Sequence, residues 1–160
     1  RSVKNYDEKI VANKEAYGDI VVVSLAGEDG DELASPGSVD AIVDFRNAHN
    51  WIDSDAVPQA WHSALKTGGI VGIVDHRLGA EMSYNADAGY IHEQQLIDIM
   101  AKNGFKLIAS SEINSNSRDT KNHPDGVWSL PPSLAQKDLD KNKYLAIGES
   151  DRLVMKFEKI

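Results

Sequence analysis

The sequence predicts an α/β layered fold with a mostly parallel sheet, and three observations carry that expectation. Residues 19–25, 39–45 and 70–74 are short, largely apolar runs rich in Val and Ile, as strands buried on both faces are. Segments with helical spacing alternate with them, which is the pattern of βα units. Polar clusters, Arg46-Asn47-Ala48-His49-Asn50-Trp51 and Asp75-His76-Arg77, directly follow two of the runs. An open α/β sheet opens its ligand crevice at such carboxyl ends.

Taken in order, residues 1–17 read as a helix, with Val3, Tyr6 and Ile10 on one face and Gly18 as its stop. Residues 19–25 form the first expected strand. Residues 26–37 form an acid-rich loop with Gly and Pro, and residues 39–45 the second strand. Asp53 or Ser54 can cap the next helix, which carries Asp55 and Pro58 near its start. Val57, Trp61, Ala64 and Leu65 make its apolar stripe, and Gly68-Gly69 ends it. Residues 70–74 are the third strand, and residues 78–91 are irregular.

Residues 92–103 are a helix with Leu96, Ile97 and Met100 inward and Gly104 as its stop. Residues 105–113 are a fourth strand. The long polar stretch 114–150 contains Pro124, Pro131 and Pro132 and one short helix near residues 136–145; a loop of that length in a compact domain reads as a lid or functional insertion. Leu153, Met155 and Phe157 alternate with charged residues in a terminal strand, and no crossover helix of normal length separates it from the fourth. Antiparallel pairing is expected there. The 160 residues are read as a single domain.

Bulk properties exclude several classes. The net charge of −8 and the absence of a basic run argue against a nucleic-acid partner. No cysteine is present, so thiolate catalysis and Cys-ligated zinc are excluded. Five histidines without ligand spacing lead to an expectation of no metal site. No apolar run approaches the roughly 18–20 residues of a membrane span. Cytoplasm and periplasm both stay open. The chain begins at Arg1 and not Met, so the question of an upstream segment is open too.

The phrases "SVDAIVDFRNAHNW", "ALKTGGIVGIVDHR" and "NGFKLIASSEI", with the ending "HPDGVWSLPPSL…KYLAIGESDRLVMKF", resemble the carboxyl-terminal part of a class I S-adenosylmethionine (SAM)-dependent methyltransferase, in a subgroup of predicted small-molecule methyltransferases. The resemblance implies a partial Rossmann-like sheet, mostly parallel with an antiparallel terminal strand. In the family, strands run in spatial order 3-2-1-4-5-7-6, and a glycine-rich loop after strand one cradles SAM. No G-x-G-x-G follows a strand here; "AGEDGDE" is a poor substitute. The chain matches from the helix before family strand three onward. Strands three and four are not neighbours in that order, so the resemblance implies exposed sheet edges, with a homodimer as one way of covering them. It also implies weak or absent SAM binding by these residues alone.

The resemblance assigns Glu28 and Asp29 to the adenine side of a SAM site, and Asp44, Arg46 and Asn47 to the cofactor rim. Asn50, Trp51, Arg77 and Tyr90 fall on the substrate side. His49 is a candidate general base, because its pKa lies near neutrality; Asp75 could orient His49 or His76, the other candidate catalytic groups. Arg77 could hold an anionic substrate with its fork of donors, or tether the loop by pairing with Asp75. Each also has a plainer role: Glu28 and Asp29 in a solvated loop, His49 as a helix-entry residue, Trp51 in core or lid packing. The expected function is SAM-dependent methyl transfer to a small molecule, with this chain supplying the acceptor side. The rivals are a non-catalytic methyltransferase-like binding or oligomerisation module and another SAM-using or nucleotide-using α/β enzyme on the same scaffold.

Overall fold

The computed structural model describes residues 2–23 and 33–160. They fall into two compact units, residues 1–33 and 34–160. In the first, the expected helix is two: α1 (Ser2–Ala12) and α2 (Lys14–Tyr17). Asn13 breaks them, turning its side-chain amide back to the Lys9 carbonyl at 2.8 Å. Gly18 ends α2 at φ 71°, a left-handed conformation that glycine adopts freely. The expected strand over residues 19–25 is corrected in its described part: residues 19–23 form none, and Val21 is 84% exposed. An apolar run becomes a strand only where a neighbouring strand completes its hydrogen bonds, and among the described residues none pairs with it.

The second unit holds a four-stranded mixed sheet of β1 (Val39–Phe45), β2 (Leu65–His76), β3 (Phe105–Ser110) and β4 (Arg152–Lys159). Their spatial order is β1-β2-β4-β3. β1 and β2 are parallel, while β4 runs antiparallel to both β2 and β3. The antiparallel terminal pair is therefore as expected, and one parallel pair is what the described sheet retains of the mostly parallel arrangement. β2 starts earlier than expected, at Leu65, because α3 (Ala56–Ala64) ends there; Gly68 and Gly69 lie inside the strand. Against Gly69 a Cβ would meet the Lys66 carbonyl at 2.8 Å, so a side chain does not fit.

Register determines which residues share a face. Val71, Ile73 and Asp75 stand opposite Phe157, Met155 and Leu153, and all six are buried. Asp44 stands beside Ile73 on the same face. α3 is tied to this face: His62 meets the Phe105 ring edge-on at 5.6 Å, and Trp61 meets Trp51 at 5.0 Å. α4 (Glu93–Lys102) packs against β3 and buries Leu96 and Met100. On the other face Val43 and Phe45 are about two-thirds exposed, at 66% and 64%, beside an apolar hollow of about 330 Å³.

The long segment after β3 is not a loose loop. It contains α5 (Lys141–Ile147) and is bound to the sheet's end by buried charge. Arg77 uses all five of its N–H donors: two on Asp151, two on Glu112 and one on Glu93, at 2.7–3.2 Å. Lys121 adds a second cation on Asp151 at 2.8 Å. Asp119, also buried, accepts from the Tyr90 hydroxyl, the Lys121 and Asp151 backbone N–H groups and the His123 ring.

Burial pushes the Asp151 carboxyl up, but the hydrogen bonds from Arg77, Lys121 and the Asn116 backbone outweigh it and hold the group at about 2, below its ordinary 3.8. A carboxyl depressed in the folded state stabilises fully above its unfolded pKa. Its contribution is lost as pH falls through the window from 3.8 to about 2. Urea unfolding at stepped pH should show a loss of stability in that window for the wild type and a flatter profile for Asp151→Asn. Arg77→Met, which leaves Asp151 with one cation, should cost about 3 kcal/mol at neutral pH.

Candidate functional site

β1 and β2 are parallel, so their carboxyl ends open on the same rim, and the antiparallel β4 begins there, with Arg152 opposite His76. Three chain segments therefore meet: residues 45–51 leaving β1, residues 75–77 leaving β2 and residues 149–151 entering β4. At their junction is a cavity of about 230 Å³. Arg46, His49, His76, Ser133, Glu149 and Ser150 supply its polar lining, and Trp128 and Pro131 are among its apolar residues.

Asp75 is the centre of the arrangement. Its carboxylate is fully buried at 0% exposure. One oxygen accepts the His49 backbone N–H at 2.8 Å, and the other accepts the His76 backbone N–H at 2.7 Å. The His49 Nδ1 lies 3.0 Å from Oδ1. A carboxylate only accepts, so Nδ1 donates to it and Nε2 is the ring nitrogen left for another partner. His49 is the middle residue of a 3-10 turn, Ala48–Asn50. His76 is placed differently: its Nδ1 contacts the Ser150 hydroxyl at 2.5 Å. Burial lowers its pKa to about 4, against a smaller upward pull from Asp75, so the ring is neutral at physiological pH. The two imidazoles lie 5.5 Å apart, and the Trp128 indole stands edge-on to His49.

The remaining candidate residues separate. Asp44 is buried and accepts the Trp51 indole N–H at 2.8 Å, so both face the core. Burial raises the Asp44 pKa, opposed by the Trp51 hydrogen bond and reinforced by nearby Asp75. Asn47 and Asn50 bond to each other at 3.1 Å on the exposed rim. Tyr90 is buried, and burial together with the Asp119 carboxylate pushes its phenol well above its ordinary range, leaving it a hydrogen-bond donor. Arg77 pairs with Asp151, Glu93 and Glu112, not with Asp75. Glu28 and Asp29 lie outside the described residues.

A larger groove of about 1,010 Å³, between the start of α3 and α4, is lined by Arg77, Asp53, Asp55, His92 and Lys102 among others. Its cations already hold carboxylates, with Lys102 on Asp55 and Arg77 on its three acids. The smaller cavity is the better site, because its polar groups converge at the strand ends.

Sequence reasoning missed Ser150 and Glu149; it offered the Trp128 segment as a lid or as solvated surface, and that segment supplies Trp128, Pro131 and Pro132 to the cavity's lining. The signal was available for Ser150: a residue preceding an antiparallel terminal strand reaches the same rim as residues ending its parallel neighbour. The Trp128 wall is brought in by Gly89 and Gly126. A Cβ on Gly126 would meet the Ala88 carbonyl at 2.3 Å, and one on Gly89 would meet the Trp128 ring at 2.8 Å.

One atom each of His49, Asp75 and His76 lie within 4.8 Å of one another, a donor set that could hold a divalent cation. Sequence spacing did not disclose this, since His49 and Asp75 are 26 residues apart.

The sequence matches no protein-family model and no curated protein. The fold does have solved counterparts. The [4+2]-cyclase SpnF aligns with 96% of this chain and 60% of its own length, at TM-score 0.63 and 13% identity. A SAM-dependent methyltransferase from Aquifex aeolicus aligns over 96% of this chain and 61% of its own, at TM-score 0.56 and 12% identity. Geranyl diphosphate C-methyltransferase from Streptomyces coelicolor, solved with Mg²⁺, geranyl diphosphate and S-adenosylhomocysteine, aligns over 81% and 50%, at TM-score 0.52 and 14% identity. This chain has the fold of the carboxyl-terminal part of a class I SAM-dependent methyltransferase. It spans about half to three-fifths of those three proteins. Its sheet order β1-β2-β4-β3 corresponds to family strands 4-5-7-6.

Of the residues that the resemblance assigns to a SAM site, Arg46 and Asn47 are exposed after β1, and the given sequence contains no G-x-G-x-G.

The hydrogen bond from His49 Nδ1 to Asp75 fixes a tautomer, and ¹⁵N NMR of the imidazoles reads it directly. In the wild type His49 should be protonated at Nδ1 near neutral pH. In Asp75→Asn the amide can donate as well as accept, and the His49 signals should move toward a mixture of tautomers while α-helical circular dichroism is kept.

Proposed function

We propose that this chain supplies the acceptor side of a SAM-dependent methyltransferase of small molecules, with the acceptor seated in the cavity at the ends of β1 and β2. The observation that carries the reading is the Asp75–His49 pair: a buried carboxylate orients an imidazole so that the free Nε2 belongs to a residue lining that cavity. SAM, when bound, supplies an electrophilic methyl group. The chain's part is alignment and proton removal. An acceptor hydroxyl gives its proton to His49 Nε2, and Asp75 stabilises the imidazolium that forms. Neutral His76, held by Ser150, offers a second hydrogen-bonding group 5.5 Å away, measured between ring centres. The 114–150 segment serves as a fixed wall, because Arg77, Asp119 and Asp151 hold it on the sheet.

The neighbours named for SAM or S-adenosylhomocysteine complexes support the cofactor class. A second reading, a methyltransferase-like module without methyl transfer, is favoured by a neighbour that is named as a cyclase. Among the described residues β1 is an edge strand of the sheet, which supports pairing with a second copy. A purely monomeric species in analytical ultracentrifugation at high concentration removes that part of the proposal. Among the described residues, no helix is long and apolar enough to cross a membrane.

Transfer of labelled methyl from SAM to a small-molecule extract separates the two readings. With any residues that precede Arg1 in the native protein present, the wild type should turn over. His49→Gln should lose about 10²–10⁴-fold in kcat. No labelled product under any condition supports the module. The 160-residue chain alone should bind SAM weakly or not at all, and micromolar binding by calorimetry contradicts that expectation.

A further inference from the structure

The cavity's walls also say what kind of guest it takes. At about 230 Å³ it lies below the range of about 300–1,000 Å³ usual for drug-sized ligands, so its guest is small. Part of its lining is apolar and stiff: the Trp128 indole, Val127 and the Pro131-Pro132 pair. His49 and His76 also line it, with the Trp128 indole edge-on to His49. Its one cation is Arg46.

Arg46 differs from the other cations around the site. Arg77, Lys102 and Lys121, which line the larger groove, each hold at least one carboxylate. Arg46 has no carboxylate within ion-pair distance among the described residues. Glu149 lines the same cavity, but it is paired with Arg152 at 2.8 Å, which offsets its charge. The backbone of Arg46 is unusual as well. It adopts φ 56°, a left-handed conformation that costs a residue with a Cβ about 1 kcal/mol or more. Its N–H is nevertheless anchored on the Val74 carbonyl at 2.7 Å, continuing the β1–β2 ladder one residue past the strand. The turn thus places an arginine where a glycine would be less strained.

Resting on the proposed methyl transfer, we propose that the cavity selects a small hydroxylated aromatic acid. Arg46 takes the carboxylate, the ring lies against Trp128 and the prolines, and the hydroxyl reaches His49. The guanidinium fork matches a planar carboxylate, and a flat ring makes use of the apolar wall without many rotors to immobilise. The sequence pointed to Arg77 for an anion, but its five donors are all engaged.

Calorimetry on the protein without SAM tests this. The probes are 4-hydroxybenzoate, salicylate and 4-hydroxyphenylacetate, each beside its neutral amide. At least one acid should bind about tenfold or more tighter than its amide. Arg46→Met and Arg46→Gly should both abolish the preference. The glycine variant suits the left-handed backbone, so loss of binding there is not loss of fold, and circular dichroism checks this. The proposal is overturned if no acid exceeds its amide by more than about threefold, or if the preference survives both variants. Because binding is read without turnover, the two readings fail separately. Arg46-dependent acid binding without any methylation overturns methyl transfer and keeps this site. Methylation of a neutral acceptor, undiminished in Arg46→Gly, does the reverse.

Discussion

The carboxylate of Asp75 holds the two strand exits together. It is fully buried, and it is matched by three N–H donors, two from His49 and one from the His76 backbone. A buried carboxyl group is tolerated only when its lone pairs are used, so the segment after β1 folds back onto the end of β2. That one constraint places the His49 ring, aims its free nitrogen and brings His76 to the same rim. Asp44 repeats the logic one strand away, where the Trp51 indole N–H closes off a second buried carboxylate and brings Trp51 onto Trp61 of α3.

Two charge systems share the rim and do different work. The Arg77–Asp151–Lys121 network is saturated. It joins the end of β2, the start of β4 and the long segment between β3 and β4, and it leaves little for a ligand to gain. The cavity lined by Arg46, His49 and His76 is sparse by contrast, with groups held in place but not used up. Structural charge is paired and buried, whereas ligand-binding charge is positioned and left open. The separation lets the 114–150 segment act as a stable wall while the cavity stays chemically available.

Much of this architecture can be read from the sequence. The apolar runs of β1 and β2, the alternation of Leu153, Met155 and Phe157, and the glycine that follows α4 mark their elements because each depends on local pattern. Residues 19–23 fail the same test for a physical reason: they have a strand's composition but no partner strand. The site is less legible. His49, Asp75 and His76 are visible as polar residues after buried strands. Which histidine Asp75 orients depends on rotamers and register. Ser150 and Trp128 come from a segment whose path is set by Asp119, Asp151 and two glycines, and no periodicity records such a path.

The central claim is that chemistry occurs in the small cavity at the strand ends and not in the larger groove beside α4. The histidines report on both places: His49 and His76 line the first, His92 lines the second, and His62 and His123 are packed elsewhere. Imidazole NMR during addition of an extract fraction that accepts methyl groups therefore locates the acceptor. Resonances of His49 and His76 should move together and saturate, with His62, His92 and His123 unchanged. Saturating shifts at His92, with His49 and His76 still, would contradict the account.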